Sequence, residues 1–145
     1  MTALAIPEPL RAQLYAHALS AFPDEACGYL TGPRDGSAVD TLVRCRNAQP
    51  DGEHPLAPER GADTGFVIAG ADLLAFARTF DAPTPARIVY HSHTNGRAYL
   101  SEVDRQMALD SGYPVQHLVI GVTADAVTVV AQFDFDLVEV ARWKP

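Results

Sequence analysis

The chain has one lysine, one tryptophan and two cysteines in 145 residues. The lysine, Lys144, is next to last, and the other ten cations are arginines scattered along the chain. They form no basic stripe, which removes the electrostatic footprint that a nucleic-acid backbone requires. The formal net charge of −7 instead favours soluble partners or partners with basic patches. The cysteines, Cys27 and Cys45, make neither a CxxC pair nor a disulfide framework. Two buried thiols in a reducing compartment are expected, and a Cys27–Cys45 bridge stays open only if their strands are neighbours. No run of eighteen apolar residues exists, so no membrane span is expected. The opening "MTALAIPEPLRAQ" lacks a cationic n-region and is broken by two prolines, unlike a signal peptide. The expected location is the cytoplasm.

What remains is ordinary globular material, 48% hydrophobic and 20% charged, of a size for one domain over 1–145. "IPEPLRAQLYAHALSAFP" predicts a first helix, with Leu10, Leu14, Ala18 and Phe22 as its apolar stripe and Pro23 as its stop. "EACGYLTG" predicts a strand in which Glu25, Cys27 and Tyr29 share a face. "SAVDTLVRCRNA" predicts its hairpin partner across the turn "GPRDG". Residues 49–65 are rich in Pro, Gly, Asp and Glu, and are read either as a flap or as disordered. "GFVIAGADLLAFARTF" begins extended and turns helical, with an apolar face of Leu73, Leu74, Phe76, Ala77 and Phe80. "RIVYHSH" is a central strand, "SEVDRQMALDSG" a helix stopped at Gly112, and three strands follow. The order α, β-β, α, β, α, β-β-β predicts an α/β fold, a sheet of mixed direction with helices packed against it.

The chemistry gathers in "HSHTNGRAYLSEVD", His91 to Asp104. On a strand, His91 and His93 point to one face, where two imidazoles can converge on a cation, while Ser92 points the other way. Ser101 and Asp104 read first as a capping box, Ser at the N-cap and an acid at N3. The conjunction is rarer than either part. With five His, five Ser and twelve Asp, the pattern arises by chance at a given start roughly 3 times in a million. The readings are compatible, since a capped helix end holds its aspartate rigidly. Two histidines, one aspartate and a water make an open tetrahedral site suited to Zn²⁺. Such a site also needs a base, and Glu25 at the head of an apolar strand is the candidate. By position alone it reads rather as an ordinary acid at a loop–strand junction. His17 is expected to be partly buried or on the surface, His54 exposed, and His117 a core or edge histidine. Asp24 is expected to be solvated and Cys27 a packed thiol.

"PDEACGYLTG" followed by "VYHSHTNGRAYLSEVDRQMA" resembles the JAMM (MPN-plus, JAB/Mov34-type) zinc metalloprotease family. Its pattern is an upstream glutamate, then His-Ser/Thr-His, seven residues, Ser, two residues and Asp. The spelling is most similar to small single-domain bacterial members, some of which act on ubiquitin-like or sulfur-carrier proteins. The resemblance implies an MPN domain, a mixed sheet flanked by helices and similar in layout to cytidine deaminases. It implies that His91, His93 and Asp104 hold Zn²⁺, that Glu25 is the general base and then acid, and that Ser101 donates to the developing oxyanion. It implies (iso)peptide hydrolysis after the C-terminal Gly-Gly of a ubiquitin-like or sulfur-carrier protein. A tail laid as an added strand beside "GFVIA" fits that picture. The expected assembly is a monomer or homodimer without nucleic acid or membrane. One departure is "FVIAG", where Ala69 and Gly70 replace an Asp-Pro common in members. Two alternatives share the fold or the site: a non-catalytic MPN-type binding module and a small-molecule amide hydrolase. A zinc deaminase is disfavoured because no P-C-x-x-C is present.

Overall fold

The computed structural model describes residues 2–52 and 54–145. Helix α1 (Glu8–Ala21) is followed by strands β1 (Cys27–Thr31) and β2 (Thr41–Cys45). Next come helix α2 (Gly70–Arg78), strand β3 (Ala86–His93) and helix α3 (Glu102–Ser111). Strands β4 (Gln116–Val122), β5 (Val127–Phe133) and β6 (Glu139–Trp143) finish the chain. The six strands form one sheet in the order β2-β1-β3-β4-β5-β6. Neighbours are antiparallel except β3 and β4. A parallel pair requires a crossover, and α3 lies in it. The result is the expected α/β fold, a mixed sheet flanked by helices.

The side-chain period of two sorts β3 between two cores. Ile88 and Tyr90 join Leu10, Leu14 and Ala18 of α1 on one face, together with Leu30, Leu118 and Ile120. Val89 joins Cys27, Tyr29 and Phe76 of α2 on the other. The same alternation delivers His91 and His93 to the face of α2 and α3, at the C-terminal end of the strand. Ser92 turns to the opposite side and accepts the Ala26 N–H on its Oγ at 2.7 Å, while its own N–H donates to Ala26 O.

Helix α2 departs from the predicted apolar face. Phe76 is buried against Tyr29, Phe80 and Tyr113, with ring centroids 4.9–5.2 Å apart, but Leu74 is 52% exposed. At 100° per residue, position 74 lies about 160° around the helix from Phe76, away from the sheet. Residues 65–69 form no regular secondary structure and do not join the sheet. Cys27 and Cys45 are directly opposed in the β1–β2 register as free buried thiols.

His17 is more buried than its sequence suggests. Its Nδ1 lies 2.6 Å from Tyr90 Oη, whose ring crosses Gly28 so closely that a Cβ there would sit 2.6 Å from that oxygen. Burial, assisted by the Arg44 charge, lowers the His17 pKa from 6.5 to about 4. Between those values the unfolded chain takes up a proton that the folded chain refuses. The His17 contribution to stability is therefore present above pH 6.5, declines as the pH falls, and is gone below about 4. In the metal-free protein, urea midpoints of His17→Gln should depend less steeply on pH across this window than those of the wild type. Equal slopes would reject the assignment. His117, also lowered to about 4 by burial, is present in both chains and cancels.

Candidate metal centre

His91 and His93 leave β3 side by side, and Asp104 meets them from the first turn of α3. His91 Nε2, His93 Nε2 and Asp104 Oδ2 form a triangle with every edge 3.1 Å. Hydrogen bonding cannot satisfy all three edges. Each Nε2 carries one proton at most, and two protonated nitrogens would face each other as unbonded donors. Asp104 Oδ2 already accepts the Ser101 N–H at 3.0 Å. A cation in the middle would satisfy three lone pairs at once. An ion about 2.0–2.1 Å from three tetrahedral ligands sets them roughly 3.3 Å apart, close to the spacing here. The donors therefore fit a small, borderline-soft divalent ion such as Zn²⁺.

The surroundings hold the triangle in place. Asp104 closes the capping box: its N–H donates to Ser101 Oγ at 3.0 Å while its carboxylate takes the Ser101 N–H. With Oγ occupied as an acceptor there, the Ser101 hydroxyl proton is free to point elsewhere. Burial would raise the Asp104 pKa, but His91, His93 and the Ser101 amide outweigh it and hold the carboxyl far below the usual range. Burial pulls both imidazoles down. At His91 the Asp104 charge wins and the pKa is raised, whereas at His93 burial wins and it is lowered. Phe66 stacks on His91 with centroids 4.3 Å apart, and Tyr99 meets His93 edge-on at 4.7 Å.

Glu25 stands just before β1, 6% exposed. A carboxylate oxygen of Glu25 and a ring nitrogen from each of His91 and His93 lie within 4.8 Å of one another. Asp104 is the nearer acid, at 3.1 Å from both, so Glu25 stands back from the triangle. Main-chain bonds fix it: its N–H donates to Ala62 O at 2.7 Å, its carbonyl accepts Asn47 Nδ2 at 3.1 Å, and the next residue is clamped by Ser92. Burial raises the Glu25 pKa to about 7, with the positive His91 opposing and Asp104 reinforcing the rise.

Residues 49–52 and 54–65 are folded over this site by three polar side chains that spacing alone does not flag. Asn47 donates to Ala62 O and Gly65 O and accepts from Gln49 N and Val67 N. Gln49, 1% exposed, donates to Ala57 O and Arg60 O. His54 was expected to be exposed and is 5% exposed instead, because its Nδ1 accepts N–H groups from Leu56 and Ala57 at 3.1 and 3.0 Å. The only sequence hint was a histidine inside a Pro/Gly-rich loop, which looks the same whether it is solvated or caps a turn. Cys27 packs in the core as expected, and Asp24 is exposed.

Two hollows meet at the triangle. A polar cleft of about 230 Å³ is lined by Glu25, His93, Ser101, Arg60 and Asp63 among others. An apolar hollow of about 130 Å³ lies between α2 and α3, lined by Ile68, Leu73, Phe76, Met107 and Tyr113 beside His91. His54, Phe66 and Asp104 border both.

Known proteins share this framework. The prokaryotic homologs of the JAB domain match residues 7–136. The CysO-cysteine peptidases of Mycobacterium tuberculosis and Mycobacterium bovis are 31% identical over 112 residues, 77% of this chain and 68% of theirs. Among solved structures, a JAB1/MPN domain protein from Archaeoglobus fulgidus superimposes with a TM-score of 0.55 at 17% identity, over 97% of this chain and 95% of that one. A protein from Salinibacter ruber gives 0.57 at 21% identity, over 100% and 88%. At such identities these structures speak to the fold.

Proposed function

This chain belongs to the prokaryotic homologs of the JAB domain, and from that premise we propose a zinc-dependent peptidase. It hydrolyses the bond after the C-terminal Gly-Gly of a sulfur-carrier or other ubiquitin-like protein. The observation that carries the reading is the 3.1 Å triangle of His91, His93 and Asp104 with the Glu25 carboxylate standing back from it. The 31% identity to CysO-cysteine peptidases supports the substrate class. A cytoplasmic setting accords with the two free thiols.

His91, His93 and Asp104 would hold the ion. When bound, it polarises the scissile carbonyl and acidifies water. Glu25 takes one proton from the attacking water and delivers it to the leaving nitrogen. The carbonyl carbon gains a C–O bond and loses its C–N bond, and with the second water proton also passed to the leaving nitrogen the products are a carboxylate and an ammonium. Ser101 donates its free hydroxyl proton to the carbonyl oxygen as charge develops there. Val67 bonds inward to Ala48 and Asn47, so the flanking main chain of Phe66 and Ile68 is available to an extended tail.

The test is cleavage of a sulfur-carrier protein extended past Gly-Gly by cysteine, a peptide or a lysine isopeptide. Metal content is measured in parallel. Wild type should release the extension, and Ser101→Ala should do so about 10²–10³-fold more slowly with its metal retained. The lost cap costs about 1 kcal/mol of stability, which a melting curve separates from the rate effect. No cleavage of any extension by protein carrying one zinc per chain would overturn the protein-substrate reading. It would favour a small-molecule amide instead.

A further inference from the structure

The polar cleft contains three acids, Glu25, Asp63 and Asp104, and one arginine, Arg60. Its main chain is pinned, because Arg60 N–H donates to Ala57 O and Gln49 Nε2 donates to Arg60 O. Its guanidinium is committed to no carboxylate: among the described residues the Arg ion pairs are those of Arg46 with Asp51 and Arg142 with Glu139. The charge is still felt at Glu25 and at His54. Beside it stands His54. With Nδ1 accepting two main-chain N–H groups, the neutral ring carries its proton on Nε2. The ring is 5% exposed and borders the cleft.

We propose that Arg60, with His54 beside it, binds the free α-carboxylate of the amino acid that is released. Arg60 is thereby the specificity-determining residue of the leaving side, favouring a single C-terminal residue with a free carboxylate over an internal or isopeptide bond. This rests on the peptidase reading above and sharpens its substrate. Geometry sets the direction. Glu25 protonates the leaving nitrogen, so the leaving residue lies in the cleft that Glu25 lines. Its carboxylate, two bonds beyond that nitrogen, is within the cleft that Arg60 lines, the one arginine there among the described residues. The tail before the scissile bond is left to the side of the apolar hollow. A carboxylate placed near Asp63 and Glu25 gains from a guanidinium dedicated to it, and charge-assisted pairs of guanidinium and carboxylate are strong and directional.

The experiment reads binding and turnover separately. Zinc-loaded Glu25→Gln protein, with Arg60 intact or as Arg60→Gln, is titrated calorimetrically with a sulfur-carrier protein ending Gly-Gly-Cys. The tail is either the free acid or the C-terminal amide. With Arg60 intact the acid should bind about tenfold tighter than the amide, and in Arg60→Gln the two should bind alike. In chains with Glu25 intact, Arg60→Gln should raise KM for the acid about tenfold with kcat little changed, and leave the amide unaffected. Equal binding of acid and amide with Arg60 intact, a preference that survives Arg60→Gln, or no binding of either tail would each overturn the proposal. An acid preference that depends on Arg60, in a protein that cleaves neither tail, would uphold the carboxylate site and sink the peptidase reading alone.

Discussion

Glu25→Gln should lower kcat by about 10²–10⁴-fold, the range for losing a positioned general base, with the metal still bound. Glutamine keeps the size and hydrogen-bonding shape of the side chain and loses only its ability to take and return a proton. The main-chain bonds from Ala62 and Asn47 do not involve the side chain, so the variant should melt close to the wild type. Burial already raises the native carboxyl to about 7, where it exchanges a proton readily near neutral pH. The assay pairs turnover with metal analysis on the same samples. Because Glu25 belongs to the same group of donors as the two histidines, the metal readout decides its role. Loss of the ion together with activity would make Glu25 a ligand, and retained activity would remove it from the chemistry.

The second large effect belongs to Asp104. Asp104→Asn should weaken metal binding by more than about 100-fold, the upper end of what losing an outer-shell partner costs, since here an anionic ligand is itself removed. Activity without added metal should disappear. The amide oxygen of asparagine can still accept the Ser101 N–H, so the helix start should survive, and circular dichroism should show the same helix content. Equilibrium dialysis against buffered zinc measures the change. Wild-type affinity in Asp104→Asn would exclude the carboxylate as a ligand and leave Glu25 as the third donor.

The strands and the helices α1 and α3 were legible because periodic burial imposes periodic sequence. The alternation in "RIVYHSH" placed His91 and His93 on one face, and the capping-box spacing from Ser101 to Asp104 marked the start of α3. The candidate triangle of His91, His93 and Asp104 was legible as a motif because its three residues lie on two consecutive elements. The rest could not be read in the same way. Asn47, Gln49 and His54 organise a loop by bonding to main-chain groups, and such bonds carry no period and no residue preference strong enough to stand out. Leu74 misled for a related reason. It is apolar and helical but lies around the barrel of α2 from Phe76, and a short helix offers too few turns to reveal which face wins. Arg60 becomes interesting only once the fold shows that it shares a cleft with three acids.

No residue of α3 is buried, although the helix walls one side of the apolar hollow through Met107, Ala108 and Ser111. It is tied to the rest of the fold by Asp104 at the triangle, by Ala108 against the cluster of Val119, Ala131 and Phe133, and by the Arg105 contact to Leu137 O in the turn after β5. On the proposed reading, an ion seated on β3 is therefore also the fastening of a helix that has little core of its own. Metal occupancy and the shape of the substrate hollow become two sides of one equilibrium. Thermodynamic linkage then runs both ways: a tail that fits the closed hollow tightens the hold on the ion by the same factor by which the ion tightens the hold on the tail. Scarcity of metal would be felt as weaker binding of the tail as well as lost activity, before the fold itself is lost.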